Sequence, residues 1–313
     1  MKGEKMPGFD SHFVFGKIAF EAMPGGYVKR CCKQYPKSYA LGNQGPDSAF
    51  FFPVALRNHV KLGEILHTQK CNQFLQNLYL ELFRLHGKEA KAIGVAYIAG
   101  YLGHYAFDAV AHPFVYARSE YGDDIGYGAR HATLETDLDD VLLFEKCGLK
   151  PSQHKRAKIH FLSYKENRVI RKIFRRAAMK TYPEIREFRD MGLFDFYVMP
   201  LTWVPLHNKT GRLKKVIQWI EKLTVGRPVV SPQVPEEEGT ILEDPCNLKK
   251  EEWHNPFKEG HSDHRSYEEL FEEAQIRYGK YQHALAESIV GRKRTLSIAD
   301  DYSYLSGLSL EKE

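Results

Sequence analysis

The chain has 313 residues, of which 43% are hydrophobic, and its formal net charge is +5. This composition excludes an intrinsically disordered chain, and the length suits one large domain or two ordinary ones. The mild positive charge does not by itself imply nucleic-acid binding. The five cysteines include no CxxC pair, which argues against a thiolate zinc site. The polar N-terminal stretch lacks the pattern of a secretory signal, so we expect a cytoplasmic protein.

Helical periodicity dominates the sequence and strand alternation is hard to find, so we predict an all-α fold. In chain order, the expected helices cover residues 11–23, 27–35, 57–86, 88–116, 130–147, 163–180, 192–223 (interrupted by two prolines) and 266–290. The segment 224–265 is rich in Pro, Gly and acidic side chains, which predicts an irregular crossing segment. We therefore expect a single multi-helix domain over 1–291 and a flexible C-terminal tail over 292–313.

The expected helix 88–116 contains three glycines, Gly94, Gly100 and Gly103, that weaken its helix propensity. Glycines in a helix allow another backbone to approach closely, and we expect such an approach here. Residues 93–116 form the most apolar window of the chain, but they are interrupted by ionisable residues. Charges at the centre of a bilayer are costly, so this window is not expected to span a membrane.

The interrupting residues follow one another at helical spacing. His104, Asp108 and His112 are each four residues apart in "GYLGHYAFDAVAHPF", so they form one polar stripe along an apolar helix. Buried polar groups need partners. A hydrogen-bonded core network would provide them, whereas metal coordination would satisfy all three residues at once.

A second pair of candidate ligands lies in "RHATLETDLDD", on the next expected helix. His131 and Glu135 are again four residues apart, a spacing that often places an imidazole and a carboxylate on one zinc ion. Alone, the pair could equally be an exposed His with a surface Glu. Together with the stripe on the preceding helix, it predicts a metal site between facing helices.

These motifs resemble the zinc-dependent phospholipase C family, which is related to the fungal single-strand nucleases. "GYLGHYAFDAVAHPF" is similar to the family's central His-x-x-x-Asp helix with a further His, and "HATLE" to its His-x-x-x-Glu. "FDSHFVFG" resembles the N-terminal segment that supplies a His, and "GNQGPDSAFFF" the loop that supplies an Asp. "WHNPF" and the helix after it look like the C-terminal end of bacterial members.

The resemblance implies two or three zinc ions per chain. Asp47, His104 and Asp108 would share one zinc with a further His, for which "GEILHTQK" favours His67 over His59. The second zinc would take His112, His131 and Glu135. The third would take His12 and share Asp108. In secreted members the N-terminal amine and carbonyl complete that third site, whereas eleven residues precede His12 here. Another side chain such as Asp10 could fill the place, the third site could be only weakly occupied, or Met6 could be an internal start.

The resemblance implies a zinc-dependent phosphodiesterase in which Asp47 binds zinc and takes the proton of the attacking water. A phospholipid or a soluble phosphodiester is the expected substrate. The basic helix 165–180 could contact phosphates or a membrane surface, or it could simply be solvated. Phe50, Phe51 and Phe52 could line a pocket or pack in the core.

Three alternatives remain at this point. A single-strand nuclease would use the same metals, although nucleic acid is not the expected partner. A non-catalytic zinc-binding protein would have a closed coordination shell. A di-iron bundle would need the motif Glu64-x-x-His67 on two helices, and the sequence contains no second copy.

Overall fold

The computed structural model describes residues 8–122, 124, 126–208, 212–236, 239–298 and 301–309. It confirms the all-α fold. The α-helices are α1 (Phe9–Ala22), α2 (Tyr27–Gln34), α3 (Pro36–Asn43), α4 (Pro53–Asn58), α5 (Leu62–Thr68), α6 (Cys71–Glu81), α7 (Lys88–Arg118), α8 (Tyr127–Cys147), α9 (Arg156–His160), α10 (Tyr164–Thr181), α11 (Asp195–Leu206), α12 (Arg212–Thr224) and α13 (Tyr267–Val290). Short 3-10 helices cover Gly45–Phe51, Leu82–Arg84, Arg186–Phe188 and Ser231–Gln233.

Helix α7 lies at the centre of the domain, and α1, α2, α3, α10 and α13 pack around it. Its side chains from Ala92 to Tyr116 are all buried. The close backbone approach expected at its glycines is confirmed at Gly100, where an added Cβ would lie 2.2 Å from the carbonyl oxygen of Tyr39 on α3. Gly42 of α3 is the matching residue, since its Cβ would lie 2.2 Å from the carbonyl oxygen of Tyr97. The two helices therefore need glycine at this crossing.

The single helix expected over 57–86 is wrong. The chain forms α4, α5 and α6 instead, because two residues adopt left-handed backbone conformations that end and begin helices. His59 closes α4 with a φ of 54°, and Lys70 precedes α6 with a φ of 51°. Non-glycine residues in this region are uncommon and are hard to foresee from periodicity.

The segment between α12 and α13 is irregular, as expected. In its described part it contains a short 3-10 helix and an antiparallel pair of two-residue strands, β1 (Trp253–His254) and β2 (Ser262–Asp263). Capping boxes begin two of the helices, with Ser163 and Glu166 at α10 and Ser266 and Glu269 at α13.

The flexible tail expected over 292–313 is wrong for its described part. Residues 301–309 pack back on the core, and the side chain of Tyr304 is fully buried. The backbone N–H of Tyr304 donates to the carbonyl of His67 at 3.1 Å, and that of Tyr302 donates to the hydroxyl of Tyr105 at 2.6 Å. Residues 310–313 lie outside the described residues.

In the part of the chain that the structure describes, no helix combines the length and the apolar character needed to cross a membrane.

Candidate metal centre

Helix α7 presents its polar stripe toward one buried cluster. The Oδ2 atom of Asp108 lies 2.9 Å from His104 Nε2 and 3.2 Å from His112 Nδ1. All three side chains are at least nine-tenths buried. The stripe inferred from the spacing is therefore one face of a helix that meets other polar side chains.

The 3-10 helix 45–51 and helix α5 bring the next two residues to His104. Asp47 Oδ1 lies 3.1 Å from His67 Nε2, and Asp47 Oδ2 lies 3.8 Å from His104 Nδ1. Gly45 begins this 3-10 helix with a φ of 47°, and a Cβ there would lie 2.3 Å from the His104 ring. Glycine at this position thus allows the loop with Asp47 to reach the α7 stripe.

His67, and not His59, enters the cluster. His67 also lies 3.6 Å from Asp108 Oδ2, whereas His59 is exposed at the end of α4. Glu64, which the di-iron alternative requires, is exposed and forms an ion pair of 2.6 Å with Lys61. The described structure therefore gives the di-iron alternative no support.

Helix α1 supplies His12 to the cluster. Its Nε2 lies 3.1 Å from Asp108 Oδ1, and its ring stacks on that of His104 with centroids 4.2 Å apart. The first turn of α1 is held by Asp139 of α8, which accepts from the backbone N–H groups of Asp10 at 2.9 Å and Ser11 at 2.7 Å. A carboxylate at a helix N-terminus is stabilising, and here it fixes where His12 points.

Asp10 is not placed to complete a third metal site. Its carboxylate accepts from Arg156 Nε at 2.7 Å and Nη2 at 2.5 Å, and it lies 3.3 Å from His154. The expectation that Asp10 could serve as a replacement ligand is therefore wrong, because this bidentate pair already engages it. Met6 lies outside the described residues.

Helix α8 completes the cluster with the second pair. His131 Nε2 lies 3.1 Å from Glu135 Oε1, and His112 Nε2 lies 3.7 Å from the same oxygen. Glu135 and His131 are both buried. His112 thus joins the α8 pair to Asp108, and all eight residues singled out in the sequence lie in one continuous cluster: His12, Asp47, His67, His104, Asp108, His112, His131 and Glu135.

Backbone carbonyls fix the imidazoles so that their Nε2 atoms face the carboxylates. The Nδ1 atoms of His67, His104 and His112 donate to the carbonyls of Gly63 at 2.6 Å, Asn43 at 3.1 Å and Tyr304 at 3.1 Å. A carbonyl can only accept, so each Nδ1 carries a proton, and Nε2 is the ring nitrogen left free to bind a metal. Such carbonyl partners commonly orient metal-binding histidines.

Two acceptors that face each other need a cation between them. His104 Nε2, Asp108 Oδ2 and both oxygens of Asp47 are buried without a hydrogen-bond partner. Two groups of three described residues have ligand atoms that all lie within 4.8 Å of one another. One group is His12, His104 and Asp108, and the other is Asp47, His67 and His104. Histidine nitrogen with carboxylate oxygen is a donor set that suits zinc, so the residues fit this metal.

Without a metal, protons take the place of the cation. Burial lowers the pKa of His104 and would lower that of His67, but the contacts with Asp108 and Asp47 raise the pKa of His67 to about 9. Burial likewise opposes the charged form of His112, yet Asp108 raises its pKa well above the usual value. Burial would raise the pKa of Asp108, but the surrounding imidazoles hold it well below its usual range. Metal binding must therefore release protons from this cluster.

Tyr304 and the two carbonyls of Asn43 and Gly63 are site residues that the sequence did not reveal. The Tyr304 ring lies against His67 and His104, with centroid distances of 5.3 Å and 5.7 Å. A supporting carbonyl has no side-chain identity to recognise, and Tyr304 lies in a segment expected to be a loose tail. No local signal points to any of the three.

The three phenylalanines after Asp47 divide between the core and the cluster. Phe51 and Phe52 are buried in the core, whereas Phe50 stacks on His67 with the ring centroids 5.5 Å apart. On the basic helix, Lys165 pairs with Glu89 and Arg176 with Glu81. Part of the positive charge of helix 165–180 is thus neutralised within the chain.

A family model described as zinc dependent phospholipase C matches residues 11–187, which is more than half of the chain. The matched range contains all eight residues of the cluster. Comparisons with curated proteins and with solved structures gave no match. The fold, the cluster and the matched range together place the chain in the zinc-dependent phospholipase C family.

Proposed function

We propose that this protein is a zinc-dependent phosphodiesterase that hydrolyses a phospholipid or a related phosphate diester. The observation that carries the proposal is the buried cluster itself, in which eight side chains with metal-ligating atoms meet. Carboxylates held against histidine lone pairs in a zinc-dependent family support a zinc-binding role.

We assign the ligands as the family resemblance implies. Asp47, His67, His104 and Asp108 would hold the first zinc, and His112, His131 and Glu135 the second. His12 would hold a third together with Asp108, which has a separate oxygen for each of these two sites. In support, Asp108 Oδ1 lies toward His12, whereas Oδ2 lies toward His104.

Bound zinc would neutralise phosphate charge, polarise phosphoryl oxygens and lower the pKa of a water to about 7. The chain's own contribution would be to exclude bulk water and to hold a proton acceptor. Asp47 fits that second role, because its carboxylate is fully buried and neither oxygen has a hydrogen-bond partner. We assign it as the general base, in addition to its role as a ligand.

The test compares hydrolysis by the wild type and by Asp47→Asn. The wild type should cleave a chromogenic phosphodiester or phosphatidylcholine, lose turnover on chelation and regain it with added zinc. Asp47→Asn should reduce turnover by roughly 10²–10⁴-fold, the usual contribution of a general base. Because Asp47 is also a proposed ligand, the zinc content of the variant decides whether the loss belongs to proton transfer or to metal binding.

Asp195→Asn is the matched control. Asp195 is also a buried aspartate, but it lies in the first turn of α11 and accepts from the backbone N–H of Gly192 at 2.8 Å, outside the cluster. This variant should keep both zinc and turnover. Cleavage of single-stranded oligonucleotides instead of lipids would point to the nuclease alternative. A fully metallated wild type that cleaves neither class would refute the proposal and leave a zinc-binding protein.

A further inference from the structure

Helix α12 is packed with its polar side toward the protein. In most surface helices the apolar side chains face the core and the charged ones face water. Here Lys214 and Glu221 are buried, with 1% and 6% of their surface exposed. Lys214 lies 3.3 Å from Glu236, and Glu221 accepts from Ser231 Oγ at 2.6 Å and from the backbone N–H of Val229 at 3.0 Å. Polar contacts therefore anchor the helix.

The apolar residues of α12 face away from that anchor. Val216, Trp219, Ile220 and Leu223 follow the spacing i, i+3, i+4 and i+7, and they are 51%, 64%, 46% and 66% exposed. At about 100° per residue, this spacing places them on one stripe, opposite Lys214 and Glu221. We call these four residues the apolar stripe. The spacing is that of a buried helix face, yet no described residue covers it.

The exposed charges beside the apolar stripe are all positive. Within residues 212–231, each of which the structure describes, the exposed charged side chains are Arg212, Lys215, Lys222 and Arg227. The one carboxylate of this stretch, Glu221, is buried and engaged. Lys215 and Lys222 lie on either side of Trp219 along the helix, at i−4 and i+3. The surface therefore presents a tryptophan and aliphatic side chains framed by cations.

We propose that the apolar stripe inserts into the headgroup region of a membrane leaflet that carries anionic lipids. Interfacial helices combine an apolar face that contains Trp or Leu with basic residues. Trp is enriched at the membrane interface because its ring is amphipathic. A purely apolar partner would leave the flanking cations unpaired, whereas anionic headgroups complement them. The choice of a lipid bilayer as the binding partner of the apolar stripe rests on the proposed function, since an enzyme that cleaves phospholipids must reach them in a bilayer.

The experiment measures vesicle binding with the full-length Asp47→Asn protein, which should consume the lipid far more slowly than the wild type. Vesicles of phosphatidylcholine alone are compared with vesicles that also contain phosphatidylserine. Trp203 and Trp253 are buried, so Trp219 is the exposed tryptophan among the three in the chain. We expect its fluorescence to shift to shorter wavelength when anionic vesicles are added.

Two double variants test the two parts of the surface. Trp219→Ser with Leu223→Ser should weaken binding to anionic vesicles at least tenfold. Lys215→Gln with Lys222→Gln should weaken it by about fivefold for each lysine removed, and this effect should fade at high salt.

Matched controls come from α13, where Ile276 is 67% exposed and Lys280 is also exposed. Ile276→Ser and Lys280→Gln should bind vesicles like the parent protein. Helical circular dichroism and the melting temperature check that each variant is folded.

Different experimental results would refute the membrane-binding inference and the proposed function. Zinc-dependent cleavage of a soluble diester without vesicle binding, or vesicle binding unchanged in the stripe variant, would overturn the membrane assignment alone. A dimer in solution that the stripe variant converts to a monomer, without vesicle binding, would show that a second copy covers the stripe. Vesicle binding that depends on the stripe, in a wild type that cleaves no phosphodiester, would support the inference and refute the proposed function.

Discussion

Replacing the Asp108 carboxylate with an amide is the most informative perturbation of the cluster. Asp108→Asn keeps the shape of the side chain but removes the anion that four imidazoles surround, at distances of 2.9 to 3.6 Å: His12, His67, His104 and His112. Because we assign Asp108 to two zinc sites at once, the variant should lose more than one metal ion.

The expected magnitude follows from mass action. A metal present at a thousand times its dissociation constant stabilises the native state by about 4 kcal/mol per site. A chain of this length has an unfolding entropy of about 0.7 kcal/mol/K, so two occupied sites should raise the melting temperature by about 12 °C. Asp108→Asn should lose most of that shift.

The assay is thermal unfolding of matched samples with added zinc and with chelator, with elemental analysis of each. The control is Asp195→Asn, which should show the wild-type zinc content and zinc-dependent shift. An Asp108→Asn protein that is folded, holds as much zinc as the wild type and shows the same shift would refute the assignment of Asp108 as a shared ligand.

Four further predictions concern single positions. His67→Ala should abolish zinc-dependent turnover, whereas His59→Asn should change it less than about twofold, because His59 is exposed and Asn tolerates its left-handed backbone. Glu135→Ala should lose about one zinc per chain by elemental analysis and keep the first site. In chelator, the raised pKa of His67 means that its protonated form stabilises the fold, and this stabilisation is complete below about pH 6.5. About 3 kcal/mol of the free energy of unfolding should be lost as the pH rises through 9. Equal free energies from urea unfolding at pH 6 and at pH 9.5 would contradict this. Gly42→Ala should lower the melting temperature sharply because its Cβ would lie 2.2 Å from the α7 backbone, whereas Gly128→Ala, with nothing within 4 Å, should not.

The ligand stripes were predictable because helical spacing alone fixes them. His104, Asp108 and His112 on α7, and His131 and Glu135 on α8, keep their relation wherever the helices lie. Sequence patterns also predicted the all-α fold and the close approach at the α7 glycines. Both depend on periodicity and residue size, which are local properties of the chain.

Other features depend on backbone conformation or on distant contacts, and periodicity does not report them. The left-handed conformation of His59 separates it from His67, although both had been expected on one helix. The return of Tyr304 to the cluster depends on packing of the last described residues against α7. Helix α12 was expected as part of 192–223, but its reversed orientation follows from the polar contacts of Lys214 and Glu221.

Metal content tests the central claim most directly, since every proposed role in the cluster depends on zinc. Protein purified without chelator should hold at least two zinc ions per chain by elemental analysis, and three if His12 and Asp108 hold one as well. Loading the metal-free protein with zinc should release protons, because protons occupy the cluster in its absence. Less than one zinc per chain, or iron in its place, would contradict the account.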